Sequence, residues 1–256
     1  MSKVHKYKLQ NGGDIAYCRH QSKSKNSVGI VYLTGYGSDM HGEKPTALEK
    51  FCIENDFDFL RFEYLGVGDS SGKFEEYSIY DWLQNTLEVI DNLTEGKQVL
   101  VGSSMGGWIM LQTALQRKNL IAGLVGIAPA PDFTETLMWN QFSQEHKDEL
   151  QSIGKITLKH ASGEDYFITW KMIEDGRKLL VMNDKIDISV PISIIHGMKD
   201  MDVPYQLSVE LVDKLCSQDV ELHLKKNSMH RFSEPAEIKF ILSEVKRMVN
   251  KVINNE

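Results

Sequence analysis

The sequence predicts an α/β fold, a largely parallel sheet with helices on both faces, and three observations carry that expectation. Short apolar, β-branched runs alternate with helix-period segments along most of the 256 residues, the pattern of a parallel sheet covered on both sides. A tight turn, Gly102-Ser103-Ser104-Met105-Gly106, stands between the apolar run Val99-Leu100-Val101 and a helix-like stretch. Polar turns that carry Asp and His close the last two apolar runs.

Along the chain, Lys6 to Leu9 and Ile15 to Cys18 flank Asn11-Gly12-Gly13 and read as an antiparallel hairpin. Val28 to Leu33 is a run of the buried-strand type. A helix over 45–55 follows, with Leu48, Phe51 and Cys52 on one face, then a strand over 57–64 and a helix over 79–93. Strand 98–103 leads through the turn into helix 105–116, and 121–127 is the next strand. The C-terminal part gives strand 192–196, helix 205–216, strand 219–225 and a last helix over 235–252.

Residues 131–187 break this rhythm, being too long for a simple connection. They suggest a helix over 134–150, alternating patches (Ile156 and Leu158; Tyr166, Ile168 and Trp170) and a helix over 171–181. An insertion at this point lies over the carboxyl ends of the strands, where open α/β sheets bind ligands, and it is expected to be a lid. With no repeat, low-complexity segment or linker, residues 1–256 read as one domain with a lid inserted at 131–187.

Apolar residues at 41% and charged residues at 25% describe an ordinary soluble chain. The net charge of −7, with no basic cluster, excludes nucleic acid as an expected partner. The longest apolar stretch, Leu120 to Pro131, falls short of the ~20 residues that cross a bilayer, so stable membrane insertion is not expected. The N-terminal residues have neither the apolar core of a signal peptide nor the arginines of a mitochondrial transit peptide. Cys18, Cys52 and Cys216 form no CxxC and read as reduced, mostly buried thiols. Together these features predict a cytoplasmic protein. They set no oligomeric state.

The Gly102 to Gly106 turn has the G-x-S-x-G form of a nucleophile elbow in its strand–turn–helix setting, which names the hydroxyl of Ser104 as the nucleophile. Serine is a poor nucleophile until a base takes its proton, so a histidine and an orienting acid are needed. In strand-end order, the acid is expected after strand 192–196, at Asp200 with Asp202 as its rival, and the base is expected at His230. An oxyanion would be met by the backbone N–H groups of Met105 and of Tyr36, the latter in the Thr34-Gly35-Tyr36-Gly37 loop. His196 ends a strand and reads as a structural hydrogen-bonder, His223 as surface or core filler, and His5, His20, His41, His146 and His160 as solvated side chains. The Gly66 to Gly72 turn has the wrong spacing for a dinucleotide loop and is expected to pack near the site. No cluster has metal-ligand spacing, and no metal or cofactor is expected.

Several segments match a known family: Thr34-Gly35-Tyr36, Leu60-Arg61-Phe62-Glu63-Tyr64 with Gly66-Val67-Gly68, Leu100 through Trp108, and His196-Gly197-Met198-Lys199-Asp200 with Val203-Pro204. On these the chain resembles the α/β-hydrolase-fold serine hydrolases over essentially its whole length. Within them it is similar to the mitochondrial acyl-protein thioesterases that also act as acyl-glucuronide esterases. The resemblance implies that Ser104, Asp200 and His230 form a triad. It also implies hydrolysis of ester or thioester acyl groups, on a small-molecule or acylated-protein substrate, without a cofactor. A short-chain carboxylesterase, a carbon–carbon bond hydrolase and a non-catalytic binding module of the same fold are the alternatives. Leu137, Met138, Trp139, Phe142, Tyr166 and Trp170 either line an acyl channel or form the core of the lid.

Overall fold

Aliphatic, β-branched runs form the middle strands, and their two-residue alternation sends successive side chains to opposite faces. The structure, a computed structural model, describes residues 2–24, 28–159 and 165–254; His160 and the side chain of Tyr166 lie outside the described residues. The strands are β1 (His5–Lys8), β2 (Asp14–His20), β3 (Gly29–Leu33), β4 (Phe59–Phe62), β5 (Gln98–Ser103), β6 (Ile121–Ile127), β7 (Lys155–Lys159), β8 (Asp165–Thr169), β9 (Ile192–Gly197) and β10 (Val220–Lys225). The helices are α1 (Glu43–Asn55), α2 (Ile79–Leu93), α3 (Met105–Gln116), α4 (Gln144–Ile153), α5 (Trp170–Arg177), α6 (Gln206–Lys214) and α7 (Pro235–Asn254).

Eight strands make one sheet in the order β1-β2-β4-β3-β5-β6-β9-β10. The pairs from β4 to β10 are parallel, and the hairpin β1–β2 adds an antiparallel edge. Ile30, Tyr32, Val99, Val101, Val125 and Ile127 face α1 and α7, where Leu48, Cys52, Ile241 and Val245 cover them. Their neighbours Val31, Leu33, Leu100 and Leu124 face the other way, onto Trp82 of α2, Trp108 of α3 and Leu211 of α6. β5 is therefore buried on both faces, and the turn that follows it lies at the carboxyl end of a middle strand of the sheet. Cys18 and Cys52 are buried, whereas Cys216 is exposed just beyond α6.

The segment between β6 and β9 departs from the single helix expected over 134–150. A π-type turn (Thr134–Met138) and a 3-10 turn (Trp139–Gln141) come first, and α4 begins only after Ser143, whose hydroxyl caps it by accepting the N–H of His146. The alternating patches form β7 and β8, a separate antiparallel pair. Leu150, Ile156, Ile168 and Ile173 build a small core of their own, with Trp139, Phe142 and Trp170 packed against it. The insertion is gathered at its neck: the carboxylate of Asp132 accepts the N–H groups of Val181 and Met182, each at 2.9 Å. Trp108 Nε1 donates to the carbonyl of Leu179 at 3.0 Å, and Lys171 bridges Asp81 of α2 and Asp175 at 2.5 and 2.6 Å.

Candidate active site

The turn after β5 approaches its surroundings too closely for side chains. A methyl group at Gly102 would overlap the carbonyl of Gly106, and one at Gly106 would overlap the carbonyl of Leu33. Between them Ser104 sits at φ 54°, ψ −120°, a strained setting for a residue with a Cβ. Backbone bonds hold it there: Ser104 N–H donates to Ile127 at 2.9 Å, and its carbonyl accepts from Gly107 at 2.8 Å and Ala130 at 3.0 Å. The hydroxyl is left half-exposed at the N-terminus of α3.

Two other loops converge on that hydroxyl. His230 Nε2 lies 3.0 Å from Ser104 Oγ, and His230 Nδ1 lies 2.7 Å from Asp200 Oδ2. The carboxylate is the acceptor for Nδ1–H, which leaves Nε2 free to accept the serine proton. The loop after β10 is located by Phe232, buried beside α7 residues, and by Lys44 of α1, whose ammonium donates to the carbonyl of Arg231. Lys199 N–H donates to Ser228 at 3.0 Å, tying the loops of β9 and β10 together.

Of the two carboxylates that the sequence left open, Asp200 is the one bonded to His230. It is buried, and its Oδ1 accepts the N–H groups of Asp202 and Val203 at 2.9 and 2.8 Å. Asp202 is exposed at the rim. Burial pushes the Asp200 carboxyl up, but hydrogen bonds from His196 and His230 and from the Val203 amide outweigh it, holding the group well below the usual carboxylate range. His196 is a hydrogen-bonder, as its position suggested, and its partner is Asp200 itself at 3.1 Å.

Tyr36 and Met105 both border the same cleft as Ser104. Gly35 backs onto Ser104, a Cβ there lying 3.4 Å from that of the serine. The Tyr36 hydroxyl donates to the carbonyl of Phe167 on β8 at 2.9 Å, and its ring meets Phe74, Trp82 and Phe133 edge-on. The cleft has a volume of about 930 Å³, with Phe74, Phe133, Leu137, Met138 and Phe167 on its apolar wall and Lys44 and Arg231 at its rim. The suggested apolar stripe is thus divided: Leu137 reaches the cleft, Trp139, Phe142 and Trp170 belong to the insertion's own core, and Met138 touches both. Phe74 and Phe133 have no sequence signal beyond being aromatic next to turns. The Gly66 to Gly72 turn lies against Phe74 of the cleft wall, a Cβ at Gly66 meeting its backbone at 2.8 Å, and its Asp69 N–H and Ser70 hydroxyl donate to buried Glu63 at 2.6 and 2.7 Å.

Two groups among the described residues bring carboxylates and an imidazole close enough to share a cation. In Asp200, Asp202 and His230, two of the three are bonded to one another. In Glu221, His223 and Glu244, the guanidinium of Arg247 is the cation, at 2.6 and 2.8 Å from the two carboxylates.

Residues 30–153 match the family described as alpha/beta hydrolase fold. The chain is 36% identical over 241 residues to the mitochondrial palmitoyl-protein thioesterase ABHD10 of Bos taurus, covering 93% of this chain and 78% of that one. It is 34% identical over 244 residues to the same protein of Homo sapiens, covering 94% and 79%. The solved structure of alpha/beta hydrolase domain-containing protein 10 from mouse superimposes with a TM-score of 0.90 at 31% identity, covering 98% of this chain and 100% of that one. These relatives correct the cytoplasmic expectation, since those similar in sequence are named as mitochondrial. Unpaired thiols do not distinguish one reducing compartment from another, and the scarcity of arginine near the N-terminus, on which the expectation also rested, is a compositional sign and not a physical requirement. By descent and by fold, the chain belongs to the α/β-hydrolase family.

Proposed function

We propose that the protein is a serine hydrolase of acyl esters and thioesters, acting on medium or long acyl chains as its thioesterase relatives do on palmitoyl-proteins. The observation that carries this is the continuous relay from Ser104 Oγ through His230 to Asp200, with steps of 3.0 and 2.7 Å, opening into a cleft with an apolar wall. Ser104 Oγ attacks the acyl carbon while its proton passes to His230 Nε2, and the resulting oxyanion is met by the N–H groups of Tyr36 and Met105. The tetrahedral adduct collapses with the His230 proton moving to the departing thiol or alcohol. Water, losing a proton to His230, then attacks the acyl-enzyme; the acid departs and Ser104 regains its hydrogen. Asp200 holds the imidazole tautomer and faces the charge it acquires. The cleft volume falls in the range of sites that enclose whole small ligands, and residues 131–187 act as the lid over it.

A fluorophosphonate probe is expected to label the native chain at Ser104 and to leave the Ser104→Ala variant unlabelled; an unlabelled native chain overturns the proposal. Across p-nitrophenyl esters and acyl-CoA thioesters of graded length, kcat/KM is expected to climb beyond eight carbons, at about 0.8 kcal/mol for each methylene buried. A maximum at acetyl or butyryl would defeat the assignment of a long acyl chain.

A further inference from the structure

His196 is the penultimate residue of β9 with no exposed surface, and both of its ring nitrogens are engaged. Nε2 lies 3.1 Å from Asp200 Oδ2 and 3.0 Å from the carbonyl oxygen of Val203. Both neighbours are acceptors, so Nε2 carries the ring hydrogen and donates to them. Nδ1 is 2.7 Å from the hydroxyl of Ser208 on α6, which donates to it. The same carboxylate oxygen takes Nδ1–H of His230, while Oδ1 takes the amides of Asp202 and Val203. Asp200 therefore receives four donors, two on each oxygen, and Oδ2 is shared between two imidazoles.

We propose that His196 is a positioning residue for acyl transfer: it holds Oδ2 of Asp200 toward His230 and draws off part of the negative charge that His230 faces. The inference rests on the reading of Ser104, His230 and Asp200 given above. Without His196 as donor, the hydrogen bond from His230 is left to orient Oδ2 alone, and the full carboxylate charge falls on the base and favours its protonated form. The charged and polar groups around His230 are Ser104, Asp200 and Asp202, with the next residue Arg231 held through its carbonyl by Lys44. Those around His196 among the described residues are Asp200, Ser208 and the carbonyl of Val203. Substitution at 196 leaves each of these in the chain.

The test is the pH profile of kcat and KM for His196→Asn and His196→Gln in the intact protein, with a p-nitrophenyl ester as substrate. The amide nitrogen of Gln stands as many bonds from Cβ as Nε2 does, so it keeps the donor; the Asn amide reaches Ser208 and stops short of Asp200. For Asn, kcat is expected to fall about tenfold at unchanged KM, with the acid limb moved up by about half a pH unit, in keeping with loss of one hydrogen bond to a charged group. For Gln, the profile is expected to return to within about twofold of the native one. A native profile in the Asn variant overturns the inference, and so does a Gln variant as impaired as Asn, which would leave His196 a packing role only. Should the Asn variant not fold, Ser208→Ala removes one hydroxyl and weakens the same donor: its acid limb is expected to move the same way, and an unmoved limb overturns the inference. Ser104→Ala and His230→Ala separate the two layers. If either retains native activity, the reading of the site itself fails; if both are inactive while His196→Asn behaves as native, the role of His196 alone fails.

Discussion

Replacing Ser104 by alanine is expected to lower kcat for every accepted acyl ester by on the order of 10⁶-fold, with substrate binding retained. The hydroxyl is the one group at the elbow that both meets the His230 imidazole and opens onto the cleft. Its neighbour Ser103 ends β5 buried at 7% exposure, so it is poorly placed to substitute. The backbone at 104 is fixed by bonds to Ile127, Gly107 and Ala130, and removing Oγ leaves the turn and its amides as they are. Residual catalysis of about 10³–10⁴ over water would then come from the oxyanion donors and binding alone. Long-time assays with a p-nitrophenyl ester, with affinity measured separately on a non-hydrolysable analogue, would read both quantities. A loss of less than a hundredfold would place the nucleophile elsewhere.

Asp200→Asn is expected to cost on the order of 10⁴-fold in kcat, because the amide can present a hydrogen to His230 Nδ1 and favour the tautomer whose Nε2 cannot accept from serine. Asp202→Asn, at the exposed rim, is expected to stay within about threefold of native, as a surface substitution outside the hydrogen-bonded relay. Equal losses from the two would remove Asp200 from the role proposed for it. The same carboxylate couples folding to pH. Its folded-state pKa lies below the unfolded value of about 3.9, so its contribution to stability is complete above that value and is lost as pH falls toward the folded one. Urea midpoints measured between pH 6 and pH 3 are expected to decline less steeply below pH 4 in the Asn variant than in the native chain.

The sequence reading succeeded where one local rule dominates. β5, the elbow and α3 follow from a doubly buried apolar run and from glycines that the close crossing requires, and the fold followed from the alternation around them. The turn after β9 favours Asp200 as the acid by its place after the strand, but keeps Asp202 as a rival. The two stand two residues apart in one polar turn, and what separates them is the way the chain folds back to place the amides of Asp202 and Val203 on Asp200 Oδ1. The contact from His196 to the same carboxylate is hidden for a similar reason, since it runs from a strand end into a loop and no periodicity describes it. In the insertion, Ser143 was a readable cap that interrupts the helix expected over 134–150, and Leu179 to Met182 turn back to meet Trp108 and Asp132 and so end α5 at Arg177. Which apolar side chains there face the cleft and which face one another depends on tertiary packing that the aromatic content cannot report.

The bonds from Asp132 to Val181 and Met182 bring together residues up to 50 positions apart. To the sheet, everything between them amounts to one short link, and closing a longer loop through such a neck adds little entropic cost. Such a stretch can be exchanged as a cassette, varying what is recognised while Ser104, Asp200 and His230 stay in the turns that follow β5, β9 and β10. A chimera carrying residues 133–180 from a relative of different acyl preference is expected to melt within a few degrees of the parent and to adopt the donor's chain-length profile. Retention of the parent's profile would show instead that preference is written into the sheet-borne loops.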